Sequence, residues 1–144
     1  MFAKRTHAVP QQRMFIVGKE NTVKTGTALF FGYEEGKKTT IFDIDNSASE
    51  TVNHTYPGNE DILILPILDD TDDSLFNDDM SVNYNALIDK VVMFVNLMAE
   101  ELKENPDAHS AVIFDGGSTF MKWCEFAMTE SLLRKGIIKE EGDG

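Results

Sequence analysis

Three short runs of uninterrupted apolar residues constrain this chain most: Met14-Phe15-Ile16-Val17, Ile62-Leu63-Ile64-Leu65 and Ala111-Val112-Ile113-Phe114. Each is four residues long, is rich in strand-forming side chains, and is stopped by Gly18, Pro66 or Asp115. A strand with one wet face alternates apolar and polar positions, whereas a strand buried on both faces does not. Such runs, separated by stretches of helical periodicity, predict a mostly parallel sheet covered by helices on both faces, a three-layer α/β fold. A fourth strand is expected from Thr39-Thr40-Ile41-Phe42, leading into the acidic end Asp43-Ile44-Asp45.

The helices follow from spacing. Leu87, Val91, Phe94, Val95, Met98 and Leu102 recur every three or four positions and predict an amphipathic helix over 82–104, capped by Ser81 and ended by Asn105-Pro106. Phe120, Trp123, Phe126, Ala127 and Leu133 mark another over 119–134, which stops near Gly136. Ala28, Leu29, Phe30 and Phe31 suit a short helix over 25–33, closed by Gly32 and Gly36. Residues 46–61, with Pro57-Gly58, read as a connection with one helical turn near 48–53. Six aspartates dominate 69–79, which is expected to be a solvated loop.

The length of 144 residues fits one domain, and ten phenylalanines suffice for its core. Residues 1–10 lack the apolar stretch of a secretory signal, and nowhere do 18 apolar residues follow one another. A soluble, cytoplasmic protein is expected. The net charge of −12 argues against a broad nucleic-acid surface, which needs Lys and Arg against phosphates. Positive charge is nonetheless concentrated early, at Lys4, Arg5, Arg13, Lys19, Lys24, Lys37 and Lys38. A small anion such as a nucleotide needs only a few of these.

Ligands of parallel sheets bind beyond the carboxyl ends of the strands, so the polar residues just after each run are the candidates. After the first run comes Gly18-Lys19-Glu20-Asn21-Thr22-Val23-Lys24-Thr25-Gly26, between an expected strand and an expected helix. The phosphate-binding P-loop pattern is G-x-x-x-x-G-K-[ST] in that context, and Val23 stands where its second glycine would be. In such a loop the backbone amides converge on phosphate oxygens, a role open to residues 18–26. Lys24 would reach the terminal phosphates, and the Thr25 hydroxyl would bind Mg2+. A β-branched residue at a position needing positive φ costs about 1–3 kcal/mol in strain. An ordinary βα loop is the competing reading.

Asp115, ending the last apolar run, can hold Mg2+ beside the phosphates or simply cap the helix that follows; Gly116 and Gly117 give the backbone freedom there. Alternation points Asp43 and Asp45 to one side, where either a general base for water or a capping pair results. His7, His54 and His109 have no metal-ligand spacing, and Cys124, beside Trp123 and Phe126, reads as a buried inert thiol. The aspartates of 69–79 lack the spacing of a calcium loop.

The strings GKENTVKTGTAL, IFDIDNSA and AVIFDGGSTF, in this order and with Trp123 on the last helix, resemble the RecA-like P-loop ATPases, and the nucleotide-binding recombination proteins of phages in particular. The resemblance spans nearly the whole chain. It implies a RecA-like P-loop NTPase core binding ATP and Mg2+, with Lys24 and Asp45 in catalysis and Mg2+ at Thr25 and Asp115. Asp45 would be a shorter stand-in for the family's water-activating Glu, and Gly116 replaces the usual Ser or Thr. Relative to the family the sheet is expected to be short at the C-terminus, without the DNA-binding loops. The resemblance further implies work in DNA recombination or replication, a homo-oligomer, and DNA as the partner of a fuller assembly. Alternatives are a non-hydrolysing module with a structural or protein-interaction role, and a nucleotide or nucleoside kinase.

Overall fold

A computed structural model describes residues 13–19 and 23–139; Glu20, Asn21 and Thr22, within the expected P-loop, lie outside the described residues. The order of elements is α1 (Lys24–Gly32), β1 (Lys38–Asp43), α2 (Ala48–Thr55), β2 (Ile62–Pro66), α3 (Tyr84–Glu104), β3 (His109–Asp115) and α4 (Gly117–Arg134). The three strands form a parallel sheet in the order β2-β1-β3. β1 is central, with Ile41 paired to Ile64 on one side and to Ile113 on the other.

Because successive side chains of a strand point to opposite faces, β1 feeds two cores. Phe42 and the following Ile44 pack with Ile67, Leu75, Leu87, Val91 and Trp123. Ile41 packs with Leu29, Ala48, Val52 and Ile62 beneath the other pair of helices. Helices therefore cover both faces: α3 and α4 on one, α1 and α2 on the other. α1 comes close enough to β3 that a Cβ on Gly32 would lie 2.8 Å from the Ala111 methyl. No helix among the described residues is long and apolar enough to cross a membrane.

Several expectations are corrected. Met14-Phe15-Ile16-Val17 is not a strand: residues 13–19 carry no regular structure, and Phe15 is 91% exposed. Apolar character does not make a strand without a ladder partner, and this run pairs with none among the described residues. β3 is consequently an edge rather than a buried strand, with Val112 40% and Phe114 42% exposed. The same uncovered side leaves Val95 exposed on the predicted stripe of α3, beside an apolar recess lined also by Met98, Leu102, Val112 and Phe114.

α3 starts at Tyr84 under Asn83, whose side chain accepts from the Ala86 amide, so Ser81 is not its cap. The turn foreseen near 48–53 is a full helix, α2. Cys124 is half-buried. The aspartate-rich stretch is folded rather than merely solvated. Asp69, Asp72 and Asp79 accept from the amides of Thr71, Ser74 and Ser81, Lys90 pairs with Asp72, and Leu75 enters the core.

Candidate functional site

The register of the sheet assembles the site. β1 and β3 run side by side with Asp43 paired to Asp115, so both strands deliver a carboxylate at the same carboxyl edge. The Ile44 amide then donates to the Asp115 carbonyl at 2.9 Å, carrying the pairing past the end of the strand. Gly116 follows at φ 98, and a Cβ there would come within 2.8 Å of the Ile44 Cβ and 3.1 Å of the Asp45 nitrogen. Glycine is required twice, for the left-handed backbone and for this close approach. It lets the β1–α2 turn lie against the β3–α4 turn.

As a result Asp43, Asp45 and Asp115 each place a carboxylate oxygen within 4.8 Å of the others. Their environments differ. Asp43 is buried, and its oxygens accept from the amides of Ser47, at 3.1 Å, and Ala48, at 3.2 Å, at the start of α2. Burial pushes its pKa above the usual value, the two amides oppose this, and the charges of Asp45 and Asp115 add to the rise. Asp45 is exposed and accepts from the amide and hydroxyl of Ser47, at 3.2 and 2.5 Å. Asp43 is thus committed to the backbone, while Asp45 and Asp115 face the solvent side of the cluster.

The beginning of α1 also meets this cluster. The Thr25 hydroxyl donates to Asp115 Oδ2 at 2.5 Å, joining residues 90 positions apart. The Lys24 ammonium folds back over its own loop and donates to the carbonyls of Lys19, at 2.6 Å, and Gly18, at 3.3 Å. Val23, just before the helix, has φ 45 and ψ 29, the left-handed conformation that the missing glycine would hold without strain. At 77% exposure its side chain gains little packing in compensation. Gly26 lies within the first turn of α1.

Of the residues singled out from the sequence, Lys24, Thr25, Asp45 and Asp115 come together with Gly18 and Val23 around one groove of about 1980 Å3. The groove also takes in Ser47, Glu50 and Gly116. Sequence reasoning passed over Ser47, although its signal was present. An Asp accepting from the Ser or Thr two residues on recurs at Asp45-x-Ser47, Asp69-x-Thr71, Asp72-x-Ser74 and Asp79-x-Ser81. His109, which begins the strand that Asp115 ends, also lines the groove and bonds Glu101 at 3.1 Å.

The donor set suits a hard divalent cation. Two carboxylates and a hydroxyl supply oxygen ligands without sulfur or imidazole, the preference of Mg2+. No family model, no curated protein and no solved structure matches the chain.

Proposed function

We propose that this chain is a nucleotide-binding domain of a RecA-like ATPase serving DNA recombination or replication in the cytoplasm, with ATP held along residues 18–26. The observation that carries this reading is the Thr25–Asp115 hydrogen bond, which unites the end of the P-loop-like stretch with the acid ending the last strand. The bond brings the two expected Mg2+ ligands into direct contact.

In this reading the first amides of α1 face the phosphates, and Lys24 exchanges its loop carbonyls for phosphate oxygens. Thr25 and Asp115 would hold Mg2+, which when bound neutralises charge building up on the terminal phosphate. Asp45, exposed and fixed by Ser47, orients the attacking water. An arginine from a neighbouring copy would complete the site, which makes a homo-oligomer the active form. DNA contact would belong to a fuller assembly, since the chain carries a net −12.

Calorimetric titration with MgATP and MgADP tests the reading. The wild type is expected to bind, and Lys24→Ala and Thr25→Val are each expected to weaken binding by tenfold or more, about 1.4 kcal/mol. Absence of binding at millimolar nucleotide, both in the wild type and in Val23→Gly, overturns it. The left-handed Val23 favours a second reading, a non-hydrolysing module that keeps the fold for a structural or protein-interaction role. Tight binding by Val23→Gly with none by the wild type is its signature.

A further inference from the structure

Two unpaired stretches of strand character line one groove. Backbone groups of successive strand residues point alternately to the two neighbours. The Asp115 carbonyl accepts from the Ile44 amide and so faces β1. Ile113 then faces β1 as well, and the amides and carbonyls of Val112 and Phe114 point outward, where no backbone among the described residues meets them. Ala111 to Phe114 carries neither charge nor proline, the usual protection of a free edge. The other stretch is Met14-Phe15-Ile16-Val17, which is apolar, largely exposed and without a ladder, and it lines the groove together with Val112, Phe114 and Phe31.

We propose that residues 14–17 close onto the free edge of β3 as a fourth parallel strand when an anion occupies the loop, and that Lys24 holds them open when it is empty. The trigger rests on the nucleotide reading above; the fit of the segment to the edge does not. Lys24 donates to the Gly18 and Lys19 carbonyls, so the run ends beside the start of α1, which the Thr25–Asp115 bond holds at the carboxyl end of β3. Laid along the edge, the run therefore points the same way as β3. From there through α1 to β1 the chain would cross the sheet in the same direction, and over the same face, as it does from β1 through α2 to β2, which gives both crossovers the same hand. α1 already lies over β3 at Gly32 and Ala111. Six residues join Val17 to Lys24, ample for a shift of one strand spacing of about 4.8 Å. Once docked, the run would cover Phe31 on one face and the recess at Val112 and Phe114 on the other. The Lys24 bonds fix Gly18 and Lys19 against the first turn of α1. A phosphate that draws the ammonium away loosens them, which is the differential interaction through which a ligand shifts a conformational equilibrium.

Residue-resolved amide hydrogen exchange by NMR tests both halves, with MgADP affinity measured by calorimetry. In the free wild type the Val112 and Phe114 amides are expected to exchange fast, and the Ile113 amide, paired with β1, slowly. Saturating MgADP is expected to slow Val112, Phe114 and amides within 14–17 by about tenfold or more, with Ile113 unchanged as the internal control. Lys24→Ala without nucleotide is expected to slow the same amides by releasing the latch. Binding of MgADP without slowing overturns the closure. Slow Val112 and Phe114 amides in the free wild type, or fast ones in Lys24→Ala, overturn the latch. Slowing that grows with protein concentration identifies a second copy as the occupant and overturns closure within one chain. If calorimetry shows no MgADP binding, the nucleotide reading fails, and exchange in Lys24→Ala still decides whether residues 14–17 take the edge.

Discussion

Asp43 shows how one residue can belong to a site by position and to the fold by bonding. It is 2% exposed and caps the start of α2 through the Ser47 and Ala48 amides, yet its carboxylate stands within 4.8 Å of those of Asp45 and Asp115. Its pKa is raised, chiefly by burial, so between the ordinary value of 3.8 and its raised value the folded state holds a proton that the unfolded state has released. Stability attributable to Asp43 is therefore fullest below 3.8 and declines as pH rises through that interval. Asp43→Asn removes this dependence and, at every pH, one backbone acceptor. Urea denaturation of both proteins from about pH 4 to about pH 7 should show the wild type's advantage shrinking as pH rises. A constant advantage would mean that Asp43 is not perturbed. The lowered pKa values of Asp69, Asp72 and Asp79, each held down by the hydroxyl and amide of a nearby Thr or Ser, act oppositely but are common to both proteins.

Among the elements, α1 and the 69–83 connection show what periodicity leaves out. α1 has no strong apolar stripe, and Phe30 and Phe31 are exposed; it is anchored by Leu29 in the core and by the approach of Gly32 to Ala111. Gly32→Ala puts two methyl carbons 2.8 Å apart, and an overpacking cost of about 1–3 kcal/mol exceeds what alanine gains at a helix end. Thermal melting should fall in Gly32→Ala and recover in Gly32→Ala with Ala111→Gly. Failure of that rescue would show that the contact is not the cause. In the aspartate-rich connection, Leu75 is buried against the same core as Trp123. Leu75→Ala is expected to cost about 2–5 kcal/mol in chemical denaturation, as for other large-to-small core changes. A loss under about 0.5 kcal/mol, normal for a surface position, would return the segment to the status of a solvated loop.

At the scale of the whole molecule, charge and sheet order dominate. The chain carries 25 acidic against 13 basic residues, and ion pairs such as Lys37–Glu34 and Lys90–Asp72 offset little of that excess. Self-repulsion of this size opposes the compact state. Raising NaCl from about 10 mM to about 150 mM shortens the screening length from about 30 Å to about 8 Å. The melting temperature should rise with it, and a flat or falling trend in circular dichroism would count against net repulsion.

By itself the sequence determined the things that local pattern controls: a parallel α/β arrangement, the spans of α3 and α4, and the strand ends at Pro66 and Asp115. It also marked Val23 as standing where a loop pattern expects glycine, a position strained by a β-branched residue if its φ is positive. What only the tertiary structure decided were the matters of partnership. Residues 14–17 have the composition of a strand but no ladder beside them. β3 has the composition of a buried strand but lies at an edge. The Asp-rich stretch has the composition of a solvated loop but carries Leu75 into the core. The meeting of Thr25, Asp45 and Asp115 depends on β1 and β3 being neighbours in register, which is set by packing across some 70 residues. Short apolar runs specify burial, but not which other run they pair with.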